Sequence, residues 1–172
     1  MELFGERGFD ETTVADIAAR AGLTERTFFR HYADKREVLF SGGAVFSGRL
    51  VQSVADAPSD ARPIEMIGAV LETAADLFAE RLEHARSRQL IIDAHPDLQE
   101  RELIKLASLA ASLAEAMRQR GVADTPARLA AETGVAVFKV AFDRWIDGNN
   151  AAPFSEIIRD SLAELKSVAA GH

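Results

Sequence analysis

The sequence predicts an all-α fold in two parts, a small N-terminal three-helix domain built round a helix-turn-helix and a longer helical domain after it. Three observations carry that prediction. No stretch alternates apolar and polar residues with period two over the length of a strand. Apolar residues instead recur at helical spacings from Val14 to Val168. Cap and stop residues fall at the joints between those runs, most densely in TTVADIAARAGLTERTFFRHYADKR, residues 12–36.

The chain opens on MELFGERGF, where Leu3, Phe4 and Phe9 surround Gly8. This reads as the closing turns of a helix, so residues are expected to precede Met1. Thr13 is the predicted N-cap of the next helix, with Asp16 placed to complete a capping box and Gly22 as its positive-φ stop. Thr24 caps a second short helix almost at once, so the two must cross steeply. Val14, Ile17, Ala18 and Ala21 form the inner face of the first helix, and Leu23, Thr27 and Phe28 return onto it. Helix, glycine turn and helix at this spacing is the helix-turn-helix pattern.

The outer face of the second helix carries Glu25, Arg26, Phe29, Arg30 and His31, and Asp34 caps a third helix that Lys35 and Arg36 open. From Arg20 to Arg36 five Lys/Arg stand against Glu25 and Asp34, a local +3 in a chain of net charge −7. A duplex would feel the local balance. An ordinary solvated face on a helical hairpin is the alternative reading of the same residues.

The third helix is expected to run on to about Ala57 through Val38, Leu39, Val45, Phe46, Leu50 and Val54, weakened by Gly42, Gly43 and Gly48. The domain boundary falls near Gly42, separating residues 1–42 from residues 43–172. PSDARP, residues 58–63, is a turn-rich linker, and Pro63 opens a helix carrying Ile67, Val70, Leu71, Ala74, Leu77 and Phe78. A shorter helix through Ile92 stops at His95-Pro96. Asp97 with Glu100 caps the next, whose stripe is Leu103, Leu106, Ala107, Ala110, Leu113, Ala114 and Met117 before an Arg120-Gly121 stop. Thr125-Pro126 starts another helix and Pro153 the last.

The penultimate helix has two apolar stripes, Ala136, Val137, Val140 and Ala141 on one side and Val135, Phe138, Phe142 and Trp145 on the other. The last helix presents Phe154, Ile158, Leu162, Leu165 and Val168. Two such helices can form half of a four-helix bundle with a second copy, or bury both stripes within one chain.

With 172 residues, 48 % apolar and 27 % charged, the chain can bury a sizeable core. It has no cysteine, which removes disulfides and thiolate chemistry. No apolar run is expected to reach the roughly 18 residues of a spanning helix, and no signal peptide opens the chain. A cytoplasmic protein without a membrane partner follows. The histidines His31, His84, His95 and His172 lack HExxH spacing, and there is neither a phosphate-cradling glycine loop nor GxSxG. No catalytic residue, metal site or cofactor is therefore predicted. His95 beside Asp93 and Asp97 is the one constellation to weigh, and a His-Pro-Asp helix cap explains it more simply.

LFGERGF, TTVADIA, AGLT, the run TFFRHY and DKREVL together resemble the N-terminal domain of TetR-type transcriptional regulators over residues 1 to about 40. The resemblance implies a homodimeric repressor on an operator in double-stranded DNA. It puts Arg26, Thr27 and Arg30 in the groove, with Glu25 and Phe29 on the same face, and Thr13, Thr24, His31 and Lys35 on phosphates. The family usually has tyrosine where Phe29 stands. From about Arg86 to Trp145 the chain resembles the TetR C-terminal class described as acyl-CoA-like ligand-binding, which implies an apolar or acyl-bearing effector. Phe78, Leu82, Leu106, Leu109, Leu113, Phe138 and Phe142 are the candidate lining, and a filled helical core would use the same side chains. A helical interaction or scaffold domain without DNA binding is the alternative, and a small enzyme using His95 a third. A salt-dependent shift of duplex DNA separates the first from both.

Overall fold

Ten α-helices occupy residues 1–147 and 152–171, the part of the chain that the computed structural model describes, and no strand occurs among these residues. The helices cluster into two compact units, Met1–Gly43 with Glu83–Glu100, and Ala44–Leu82 with Arg101–His172. This differs from the expected division into 1–42 and 43–172, because Glu83–Glu100 clusters with the N-terminal helices. The reason is burial: Ile92 and Leu98 are fully enclosed and pack with Phe4, Phe9, Leu39 and Phe40 in one core.

The first unit holds α1 (Glu2–Arg7), α2 (Val14–Arg20), α3 (Glu25–His31), α4 (Arg36–Leu39) and most of α7 (Leu82–Asp93). Gly8 ends α1 at φ 83° and Gly22 follows α2 at φ 67°, conformations that cost a side-chain-bearing residue more than glycine. Thr12 is completely buried yet polar; its hydroxyl donates to the Gly8 carbonyl at 2.6 Å, which removes the desolvation penalty.

The expected single helix over 35–57 is two helices. Phe40 leaves the helical path and Gly42 turns at φ 85°, so α4 stops at Leu39 and α5 begins at Gly43 (Gly43–Asp56). The same break answers a second expectation. The 21 residues Arg36–Asp56 do have the length and apolarity of a spanning segment, contrary to the sequence reading, but a positive-φ glycine divides them.

In the second unit α9 (Asp124–Ile146) packs on α10 (Phe154–Ala170) and on α6 (Pro63–Phe78), and α10 packs on α6. Ile67, Leu71, Ile157 and Ile158 are fully buried there. α6 and α9 approach closely at Gly134, where a Cβ would lie 2.9 Å from Ile67 Cδ1. The second unit also takes α8 (Pro96–Gln119) from Arg101 onward. The Arg120 guanidinium donates to the carbonyls of Val54 and Pro58, both at 2.6 Å, and so caps the end of α5 and the turn after it. The predicted α8 stripe starts late: Leu103 and Ala107 are exposed, and burial sets in at Leu109, Ala110, Leu113 and Met117.

The two stripes of α9 divide differently from the prediction. Val135, Phe142 and Trp145 are buried within the chain, because rings from α5, α6 and α10 cover that side. Val137 and Ala141 are also buried, whereas Ala136 and Val140 face solvent with Leu129.

Candidate nucleic-acid interface

The reading motif is assembled by short-range bonds that its own sequence supplies. Thr13 accepts from the Asp16 amide at 3.1 Å while Asp16 Oδ2 accepts from the Thr13 amide at 2.9 Å, a complete capping box. The Thr13 hydroxyl, then its amide, hold the Asp16 carboxyl below its ordinary pKa. Thr24 accepts from the Thr27 amide at 3.2 Å and starts α3. Phe28 is buried, stacked obliquely on Tyr32 and edge-on to Phe29, which fixes the rotation of α3 about its axis.

That rotation leaves Glu25, Arg26, Arg30 and His31 exposed, with Phe29 54 % exposed and Thr27 half-buried. Thr13 and Thr24 are exposed at the N-termini of α2 and α3, where backbone amides point outward. Arg30 and His31 approach each other at 3.4 Å. Leu23 does not return onto α2 as expected; it is 46 % exposed in the turn, where the chain closes as its backbone N–H donates to Ala18 O at 2.8 Å.

The positive charge a duplex would meet is smaller than the count of +3. Arg20 pairs with Glu6 at 2.7 Å and Glu2 at 3.4 Å, and Arg36 with Asp97 at 3.0 Å. Lys35, expected on a phosphate, points inward: its ammonium donates to the carbonyls of Phe9, Asp10 and Thr12 at 2.8, 2.9 and 3.1 Å. Arg26 and Arg30 remain the exposed cations of α3.

His95 is a structural joint. Its Nδ1–H donates to Ile91 O at 2.7 Å, its ring meets Phe9 edge-on at 4.9 Å, and Nε2 lies 3.4 Å from Asp10. Pro96 already belongs to α8, so Asp97 sits in the first turn, and the His95 carbonyl takes the Leu98 and Gln99 amides in place of the expected Asp97 cap. Among the described residues no group of three His, Cys, Asp or Glu is placed to hold a metal; His172 lies outside them. The bond to Ile91, then the Asp10 and Asp97 carboxylates, raise the His95 pKa above its ordinary 6.5, against the lowering due to burial. Stabilisation from a raised pKa is complete below 6.5 and is lost as pH rises through the folded-state value. Thermal midpoints should therefore fall above pH 6.5 in the wild type and stay flatter in His95→Gln. Parallel profiles for the two proteins would remove His95 as the cause.

In the second unit, Phe78, Phe138 and Phe142 of the predicted lining are packed ring to ring at 5.5–6.1 Å, and Leu109 and Leu113 are buried. Leu106 and Leu82 are half-buried. A cleft of about 340 Å³ is lined by Ala75, Leu82, Trp145 and Phe154, among others, and Leu82 is the member of the predicted set that borders it. Trp145 and Phe154, stacked at 4.6 Å, form a wall that sequence reasoning missed, since their meeting depends on how α10 folds back on α9.

Fold and exposed α3 face together define a helix-turn-helix protein. Residues 1–41 match the family model described as bacterial regulatory proteins, tetR family, and residues 62–170 match the model of the MftR C-terminal domain. The chain belongs to the TetR family of transcriptional regulators. It is 27 % identical over 151 residues, 85 % of this chain and 75 % of the relative, to a Mycobacterium tuberculosis protein named as a mycofactocin biosynthesis transcriptional regulator, MftR. It is 32 % identical over 65 residues to the HTH-type transcriptional regulator TcmR of Streptomyces glaucescens, a match spanning 38 % of this chain and 29 % of that protein. The crystal structure of Thermus thermophilus FadR, a TetR-family repressor in complex with lauroyl-CoA, superposes with a TM-score of 0.60 at 24 % identity, covering 97 % of this chain and 89 % of that one. These matches do not favour a scaffold domain without DNA binding.

Proposed function

We infer that the protein is a cytoplasmic, homodimeric repressor that reads an operator through α3 and is released by a small apolar or acyl-bearing effector. The exposed face of α3, with Arg26, Phe29 and Arg30 set outward by buried Phe28, is the observation that carries the DNA reading. Arg26, Thr27 and Arg30 are assigned to the groove, Glu25 and Phe29 to its walls, and Thr13, Thr24 and His31 to phosphates. Arg30→Ala should cost about 1–3 kcal/mol on a selected operator and relax preference at one or two base pairs. Binding titrations on matched and single-substituted duplexes check this, and unchanged affinity and preference would unseat α3 as the reading helix.

Two half-sites roughly 34 Å apart require two linked reading helices. We assign the dimer contact to α9 and α10, with the solvent-facing Leu129, Ala136 and Val140 in place of the aromatic stripe, which the chain itself buries. Val140→Glu would put an unpaired charge into that contact and should yield monomers with weakened operator binding. A variant that sediments as a wild-type dimer would take this stripe out of the interface.

FadR's complex with lauroyl-CoA and the apolar lining in the second unit support the effector reading. Candidate lining residues are Phe78, Leu82, Leu106, Leu109, Leu113, Phe138 and Phe142, together with Trp145 and Phe154. An effector must bind the DNA-competent and released shapes unequally to act. Titrating an acyl-chain-length series against the operator complex tests that requirement directly: release should depend on chain length, and equal binding with and without operator would refute the switch.

A further inference from the structure

The geometry points to Lys35 as a positioning residue for DNA reading and not a phosphate ligand: its ammonium gathers the carbonyls of the loop after α1 and thereby sets Thr13 and the start of α2. The inference rests on the DNA-binding reading proposed above. An ammonium has three N–H donors and no acceptor, and here three carbonyl oxygens, those of Phe9, Asp10 and Thr12, stand within 3.1 Å of Nζ. The Phe9 ring centroid lies 4.6 Å from the same nitrogen, within cation–π range. Turning Lys35 outward would strip those contacts at once and leave loop carbonyls without their partner.

The loop so held is short and has little freedom left. Its Gly8 end is tied by the Thr12 hydroxyl, and Phe9 packs in the core with Leu39 and Ile92. Thr13 follows directly and starts α2 through its capping box. Three bonds at 9, 10 and 12 thus fix the direction in which Thr13 and the first amides of α2 face. Lys35 itself precedes α4, so one side chain joins the entry of α4 to the entry of α2 across 23–26 residues of sequence.

The chain has four lysines, Lys35, Lys105, Lys139 and Lys166, which makes amine acylation a direct test on the wild-type protein. Lys105 on α8 and Lys166 near the end of α10 are exposed and serve as internal references. Brief treatment with N-hydroxysuccinimidyl acetate should label Lys35 at least about tenfold more slowly than these, since labelling awaits local opening. Operator should leave that rate unchanged. Rapid labelling of Lys35 in the free protein, with protection on DNA, would overturn the proposal in favour of a phosphate contact.

Variants supply the second arm. Lys35→Arg keeps the charge but cannot converge on the three carbonyls, and Lys35→Met removes the charge. Both should lose operator affinity with the wild-type slope of log K against log salt, whereas a phosphate ligand predicts retained affinity for Lys35→Arg and a slope flatter by about one unit for Lys35→Met. Thr13→Ala should weaken the wild type and add nothing in the Lys35→Met background. Additive losses would mean that Lys35 supports the fold at large and does not act through Thr13. A wild-type protein that retains no duplex at low salt would overturn the DNA reading, and the positioning role with it. Slow labelling of Lys35 in that case marks the failure as one of DNA binding and not of the loop geometry.

Discussion

Phe78→Ala is expected to lower the free energy of unfolding by about 2–4 kcal/mol, a large loss for a half-buried side chain in the second unit. One ring there meets five others, with centroids of Phe46 at 5.6, Phe138 at 6.1, Phe142 at 5.5, Trp145 at 6.0 and Phe154 at 5.9 Å. Each such pair is worth about 0.5–1.5 kcal/mol beyond the area it buries. Phe78 is itself half-buried, so truncation would remove all five ring partners together and open an apolar gap at the edge of the cluster. Trp145, the chain's one tryptophan, sits in the cluster and reports denaturant unfolding by its own fluorescence. A loss below about 1 kcal/mol would mean that the remaining rings repack, and that the cluster is filler and not a keystone.

Gly134→Ala should destabilise the same unit by about 1–3 kcal/mol, although it replaces glycine by the best helix former inside a helix. Propensity alone favours the change by about 1 kcal/mol, so the sign of the result decides which effect wins. The added Cβ would fall 2.9 Å from Ile67 Cδ1 and 3.0 Å from Cγ2, and Ile67 is fully buried with nowhere to retreat. Ile67→Val removes the nearer carbon and should recover part of the loss in the double variant. A Gly134→Ala protein more stable than wild type would show that α6 and α9 separate at little cost.

What was legible in the sequence was what short-range chemistry decides. Thr13 with Asp16, Gly22 and Thr24 form caps and a turn whose partners lie within four residues, so the motif could be read without knowing the rest of the fold. The inward bonds of Lys35 were not legible because its partners are backbone carbonyls 23–26 residues away, and a carbonyl leaves no mark in the sequence. Arg20 and Arg36 inflated the charge count for the same reason, since Glu2, Glu6 and Asp97 reach them only after folding. The helix drawn through residues 35–57 failed differently. Three glycines inside a helix are each a small penalty, whereas Gly42 takes a positive φ and ends the helix outright. The aromatic stripe of α9 is covered by rings of the same chain, whereas period alone leaves open whether a cover comes from the same chain or a second copy.

The discontinuity of the first unit bears on how the protein is made. Phe4, Phe9, Leu39 and Phe40 leave the ribosome well before Ile92 and Leu98, the side chains that complete their core. At roughly 5–20 residues per second, the interval between Phe40 and Ile92 lasts on the order of 3–10 s. During it the reading helices can form their caps but have no finished floor to settle on, and three phenylalanines and a leucine stand open to chaperones or to neighbouring chains. Translation slowed within residues 44–82 would lengthen that exposure. A chain cut after residue 82 would keep both helices of the reading motif and lose the support beneath them.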